Sequence, residues 1–235
     1  MPLPPIGIGL IVVALLLEGA GYVTRLTGTR GQLAEVLSMD APLSAPRMFV
    51  AGLFAVAAVA AVAGAGIQQG RRSWWLAVGV VAAGIASVKA GGTVHARLSA
   101  LLESAVGTTT TLLLSVALAA AVIGTLAFFS RGERRDRRRL LWVLAFYGVA
   151  VVGLSAVSGA VARTYGGGSS WAAMATFVEE SGEALAGVAF VVAVLVGVAP
   201  QLVLPRDWAL RRRADAQALE ASQEGSLRTD SGARS

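Results

Sequence analysis

Apolar positions run through this chain without the polar interruptions that an amphipathic element needs. Six stretches, roughly 6–24, 48–67, 74–93, 108–129, 140–162 and 174–199, are filled with Ala, Val, Leu and Gly on every helical face. A helix that is apolar all round belongs in a large core or in lipid. A run of about 20 such residues crosses the ~30 Å hydrocarbon layer of a bilayer. The pattern therefore predicts an all-α protein: a polytopic transmembrane bundle of six helices over residues 1–204, followed by a tail at 205–235. Proline punctuates the predicted elements. Pro4 and Pro5 precede the first, Pro46 precedes the second and Pro200 closes the sixth, positions that suit a residue with no N–H. Trp74, Trp75, Trp142, Trp171 and Trp208 fall near predicted span ends, where the ring is expected at headgroup level. Thr108 to Thr111 are expected to cap the fourth helix. The first stretch lacks a preceding Lys or Arg and is interrupted by Glu18, so it is expected to be a retained span rather than a cleaved signal segment.

Composition agrees with this pattern. Charged residues make up 14% of the chain and hydrophobic residues 55%, against about 25% charged in soluble domains. The net charge of +6 comes from arginines packed between the apolar runs. They therefore speak of topology and give no reason to expect a nucleic-acid partner. The segments at 68–73, 130–139 and 205–235 hold 14 Arg, and those at 25–47, 94–107 and 163–173 hold five. By the positive-inside rule both termini are expected to be cytoplasmic, in the cell membrane. The start of the tail, RDWALRRRADAQALEA, is expected to lie as a basic helix on the inner leaflet, and its last dozen residues to be disordered. The absence of Cys excludes disulfides and thiolate chemistry. No phosphate-binding glycine loop or nucleophile elbow is present.

Ionisable residues inside spans are expensive and by default mark function. The candidates are Glu18, Lys89, His95, Glu103, Glu179, Glu180 and Glu183, with Glu103 expected in a solvated loop. At 1.5 Å per residue, Glu18 lies ~18 Å and Lys89 ~22 Å from the inner face, and Glu179 and Glu183 lie ~8 and ~14 Å below the outer start of the sixth span. All fall in the outer half, which predicts a polar pocket open to the extracytoplasmic side and an inner half almost bare of charge. Three carboxylates on one helical arc repel one another, so they need a neighbouring cation or a proton. Lys89, the chain's only lysine, is the economical partner for Glu179 or Glu183. The alternative is a divalent metal held by His95, Glu179 and Glu183, a donor set that suits Mn, Fe or Zn. The bland readings are headgroup-level glutamates and a snorkelling lysine. Gly, Ala and Ser at three- and four-residue spacings predict close helix packing, within the bundle or against a second copy or another membrane protein.

Three landmarks carry a family resemblance: LSMDAPLSAPRMFVAGLF from Leu37, SVKAGGTVHARL from Ser87 to Leu98, and the E-E-x-x-E formed by Glu179, Glu180 and Glu183. Over residues 33–199 the chain resembles an uncharacterised family of bacterial six-span membrane proteins with S-x-D-E-x-x-x-x-H-E-x-L and E-E-x-x-E signatures. The resemblance implies a metal-binding or proton-handling site at these landmarks. Ser87, His95 and Leu98 match the signature. Lys89 and Ala90 stand in place of its acidic pair, and Ala96 replaces the Glu after His. Lys89 would thus occupy the place of a bound cation. Three function classes follow. They are an outward-facing acidic site for a cation, proton or small molecule, an accessory or scaffold subunit with structural Glu–Lys pairs, and a metal-dependent membrane enzyme.

Overall fold

The computed structural model describes residues 4–91, 101–130, 134–211 and 214, and these contain helices and no strand. In chain order they are α1 (Pro5–Leu26), α2 (Gln32–Val36), α3 (Ala45–Ile67), α4 (Arg72–Lys89), α5 (Thr108–Phe129), α6 (Arg134–Gly148), α7 (Ser155–Tyr165), α8 (Ser170–Val198) and α9 (Pro200–Val203). Residues 101–106 and 206–211 are also helical. Five helical stretches are long and apolar enough to cross a membrane: α1, α3, α5, the continuous run Asp136–Tyr165 and α8. The protein is therefore an all-α membrane protein. α4 is shorter, with Arg72 at its first position and Lys89 at its last. It packs back along α3 after a single 3-10 turn at Gln69–Arg71.

α8 is the most buried of the spans and α5 the least. α8 contacts α1, α3, α6 and α7 and forms the axis of the bundle. Its small residues allow this. A Cβ on Gly187 would press on Phe54 at 3.3 Å, and one on Gly197 would enter the Trp75 ring. On α3, Gly64 admits Val198 at van der Waals contact with the backbone. Phe54 and Phe190 stack in the middle of the bundle, 5.2 Å between centroids, among Leu140, Leu144, Val191 and Val194.

The run from Asp136 to Tyr165 is not a uniform α-helix. Val149–Leu154 forms a π-helical segment between α6 and α7. It lies against α8 where Gly182 leaves space for Leu154 and Ala150. Local periodicity does not announce such a segment, and π turns concentrate at functional positions.

Two expectations from the sequence are corrected here. Trp74 and Trp75 do not face the headgroups. Both are buried in the core, and Trp75 Nε1 donates to Gln68 Oε1 at 3.1 Å, whereas Trp142, Trp171 and Trp208 are exposed. Thr108 does not cap α5. The N-cap is Gly107, and Thr108 Oγ1 donates to Glu103 Oε1 at 2.7 Å.

The tight fit at Gly197 sets a test of the packing. Gly197→Ala forces α8 from Trp75 and should cost about 1–3 kcal/mol. Gly66→Ala, where nothing lies within 4 Å, should be neutral or stabilise by up to about 1 kcal/mol. Thermal unfolding in detergent compares the two.

Candidate functional site

Three helices bring the polar residues together. Glu18 comes from α1, Lys89 from the C-terminus of α4, and Glu180 and Glu183 from one face of α8. All four side chains are buried, Glu18 to 1% exposure and Glu183 to 3%. Lys89 Nζ donates to Glu180 Oε2 at 3.1 Å and lies closer still to Glu183 Oε2, in an ion-pair contact rather than a directed hydrogen bond. One lysine thus bridges two carboxylates one helical turn apart. Glu18 lies within electrostatic reach of Lys89, Glu180 and Glu183, but its own Oε2 is buried with no hydrogen-bond partner.

Glu179 points elsewhere. It accepts a hydrogen bond from Ser158 Oγ of α7, so Lys89 pairs with Glu180 and Glu183 and leaves Glu179 to another helix. Successive positions 179 and 180 differ by about 100° around a helix, which is why one faces α7 and the other the bundle interior. His95 lies outside the described residues. Among those that are described, no three His, Asp or Glu side chains converge as metal ligands.

Two residues that the sequence reading did not single out complete the site. Tyr147 of α6 packs edge-on against Phe54, 4.9 Å between centroids, and lies within electrostatic reach of Glu183 and Glu180. Arg47, in the first turn of α3, acts electrostatically on Glu180 and Tyr147. It donates from Nη1 to the Asp40 carbonyl at 3.2 Å and keeps a buried Nε with no hydrogen-bond partner. The only available signals were a basic residue after Pro46 and a tyrosine in an apolar run, and both are weak. Three buried carboxylates (Glu18, Glu180, Glu183) thus face two cations (Lys89, Arg47), a formal excess of one negative charge.

The α2–α3 loop lies across this end of the bundle. Met39 is buried against Gly21, where a Cβ would also strike the Leu37 carbonyl. Pro42 and Leu43 pack on Gly91, whose φ of +101° turns the chain just after Lys89. Leu43 itself holds a positive φ of 61°, uncommon for a residue with a Cβ. Arg25 ties the loop to α8: it pairs with Asp40 at 3.4 Å and donates to Thr176 Oγ1 at 3.4 Å and to the Gly167 carbonyl at 3.0 Å. The site is accordingly covered by protein, whereas the sequence suggested a pocket open to one side.

A second polar cluster occupies the opposite end, built from the arginine-rich segments that the sequence places between spans. Asp136, from the middle of the arginine run, is 1% exposed and lies 3.8 Å from Arg71 and 3.9 Å from Arg139. Gln68 links the same region. Its Oε1 accepts from Arg71 Nη1 at 3.1 Å, and its Nε2 donates to the Gly197 carbonyl at 3.5 Å. Glu183 and Gly197 are 14 residues apart on α8, or ~21 Å at 1.5 Å per residue. Phe190 lies between these two levels of α8 and packs with Phe54 in the apolar core.

The bridge makes a sharp prediction. Lys89→Met leaves buried carboxylates without their central cation and should cost about 3–5 kcal/mol. Adding Glu183→Gln to Lys89→Met should recover part of that loss. Unfolding of the single and double variants in detergent gives the coupling, and additivity would show that Lys89 and Glu183 do not interact.

Comparison with curated proteins and with solved structures finds no match. A family model does match, over residues 6–198, a range that contains every residue of the buried site and both polar ends of the bundle. The chain belongs to the family described as Domain of unknown function (DUF8692).

Proposed function

We propose that this membrane protein takes up a proton or a small cation at the Glu18–Lys89–Glu180–Glu183 cluster. The observation that carries this reading is Glu18: a carboxylate buried to 1%, beside two further buried carboxylates, with one oxygen unpartnered. Removing an ion from water still costs several kcal/mol after relaxation. Two cations against three buried carboxylates leave that cost partly uncompensated, and a proton or cation at Glu18 offsets it. Lys89 holds Glu180 and Glu183 as a fixed pair, which leaves Glu18 as the exchangeable position. The reading includes six spans, with α4 as the third in chain order, and both termini on the cytoplasmic side of a bacterial cell membrane. The site then exchanges with the extracytoplasmic side beneath the α2–α3 loop.

A second reading is favoured by the Lys89 bridge itself. Two contacts from one buried lysine are what a scaffold subunit needs to fix α4 against α8 for assembly with another membrane protein or a second copy. A metal-dependent enzyme would require His95 to join Glu179 and Glu183, although Glu179 is engaged by Ser158 and Glu183 by Lys89.

A ligand bound only by the native state raises stability by mass action. Thermal unfolding of detergent-purified protein should therefore respond to acid or to one of Na⁺, K⁺ and Ca²⁺, and Glu18→Gln should abolish that response. A Glu18→Gln protein that is shifted equally under every condition would support the scaffold. An unchanged response in the variant would remove Glu18 from the site.

A further inference from the structure

We infer that the chain carries a binding site for one anionic phospholipid headgroup at the C-terminal end of α8. There α9 and the 206–211 helix line an open pocket of about 330 Å³. Gln201 and Arg206 supply its polar lining, and Leu204, Ala209 and Leu210 its apolar lining. Arg206 brings a guanidinium that matches a phosphodiester in charge and in planar geometry, and Gln201 adds an amide able to donate or accept. Asp207, the adjacent acid, does not line the cavity.

The surroundings select a lipid over a free phosphate. Leu210 of the lining and Leu202 and Trp208 of the same short segment are exposed, at 55%, 66% and 42%. An ion would leave this apolar rim bare, whereas acyl chains cover it. The rim also continues a membrane-spanning helix, so the cavity sits where headgroups lie. Pro200 and Pro205 bound α9 and start the next helix at a fixed angle. Ala209 and Leu204 bury their side chains with Val196 and Val203 and hold the short helix against the bundle.

Charge on this face points the same way. Arg72, Arg137, Arg138, Arg206 and Arg211 are exposed, and Asp207 is the one exposed acid beside them among the described residues. A basic juxtamembrane face draws anionic lipid at about 1 kcal/mol per residue near the surface. That general attraction concentrates the lipid, and the cavity gives one headgroup a defined seat.

Native mass spectrometry of the full chain in detergent tests the assignment, with phosphatidylglycerol and phosphatidylcholine supplied in equal amounts. The wild type should retain phosphatidylglycerol several-fold over phosphatidylcholine. Arg206→Gln should lose that preference, and Arg138→Gln, on the same face outside the cavity, should keep it. Inorganic phosphate in excess should not displace the lipid. A wild type without headgroup preference, or equal losses in the two variants, would overturn a defined site, and displacement by phosphate alone would overturn the choice of lipid. Leu210→Ala gives an independent check, since it removes apolar lining without changing charge and should shorten lipid retention. Unchanged retention would contradict the acyl-chain rim.

Discussion

A charge in hydrocarbon must be matched or neutralised, and in this bundle the matching depends on one amine. Lys89 ends α4, and its Nζ lies against both carboxylates that α8 presents inward. The position of α4, the shortest of the long helices, is thereby tied to the axis of the bundle at one end. At the other end Trp75 closes on Gly197, and Gln68 reaches the same turn of α8. Between these ends the contacts are Ala, Val and Phe, which pack well but specify position weakly in lipid. The two polar clusters therefore act as pins, and the apolar layer fills the length between them.

The pins differ in kind. The Asp136 cluster lies beside several arginines and the bulk of the positive charge, so its acid has cations to spare. The Glu18 cluster has the reverse composition, with more acids than bases and an unpartnered oxygen. Only the second arrangement has an excess of negative charge that an added cation or proton would offset. This asymmetry makes the acid-rich end the candidate for chemistry and the base-rich end a clamp.

Much of this was legible from the sequence, and for identifiable reasons. Apolar runs located the long helices because length and hydropathy alone decide them. The depth of Glu18, Lys89, Glu179 and Glu183 placed them in one half of the bilayer because helical rise is constant. Direction around the helix was harder. Glu179 and Glu183 share a nominal face at four-residue spacing, yet Ser158 takes one and Lys89 the other, because neighbouring helices subdivide that face. Trp74 and Trp75 sit at a span end, where either a headgroup or a protein neighbour would satisfy them, and Gly197 decides for the protein. Asp136 was hidden among arginines, since a charge run reads as solvated until tertiary packing buries one member. Arg47 and Tyr147 join the site only through contacts across helices.

The π-helical segment has a consequence for how the two ends are phased. Asp136, Tyr147 and Ser158 recur at 11-residue intervals, close to three turns of a regular α-helix. A regular α-helix would keep the three near one face, and the wider turn at Val149–Leu154 rotates Ser158 away from the side of Asp136 and Tyr147. The length before the segment is keyed to Arg71 and the last turn of α8, and the length after it to Glu179. The segment thus sets the angle between two contact faces of one continuous run, so that Tyr147 meets Phe54 while Ser158 meets Glu179.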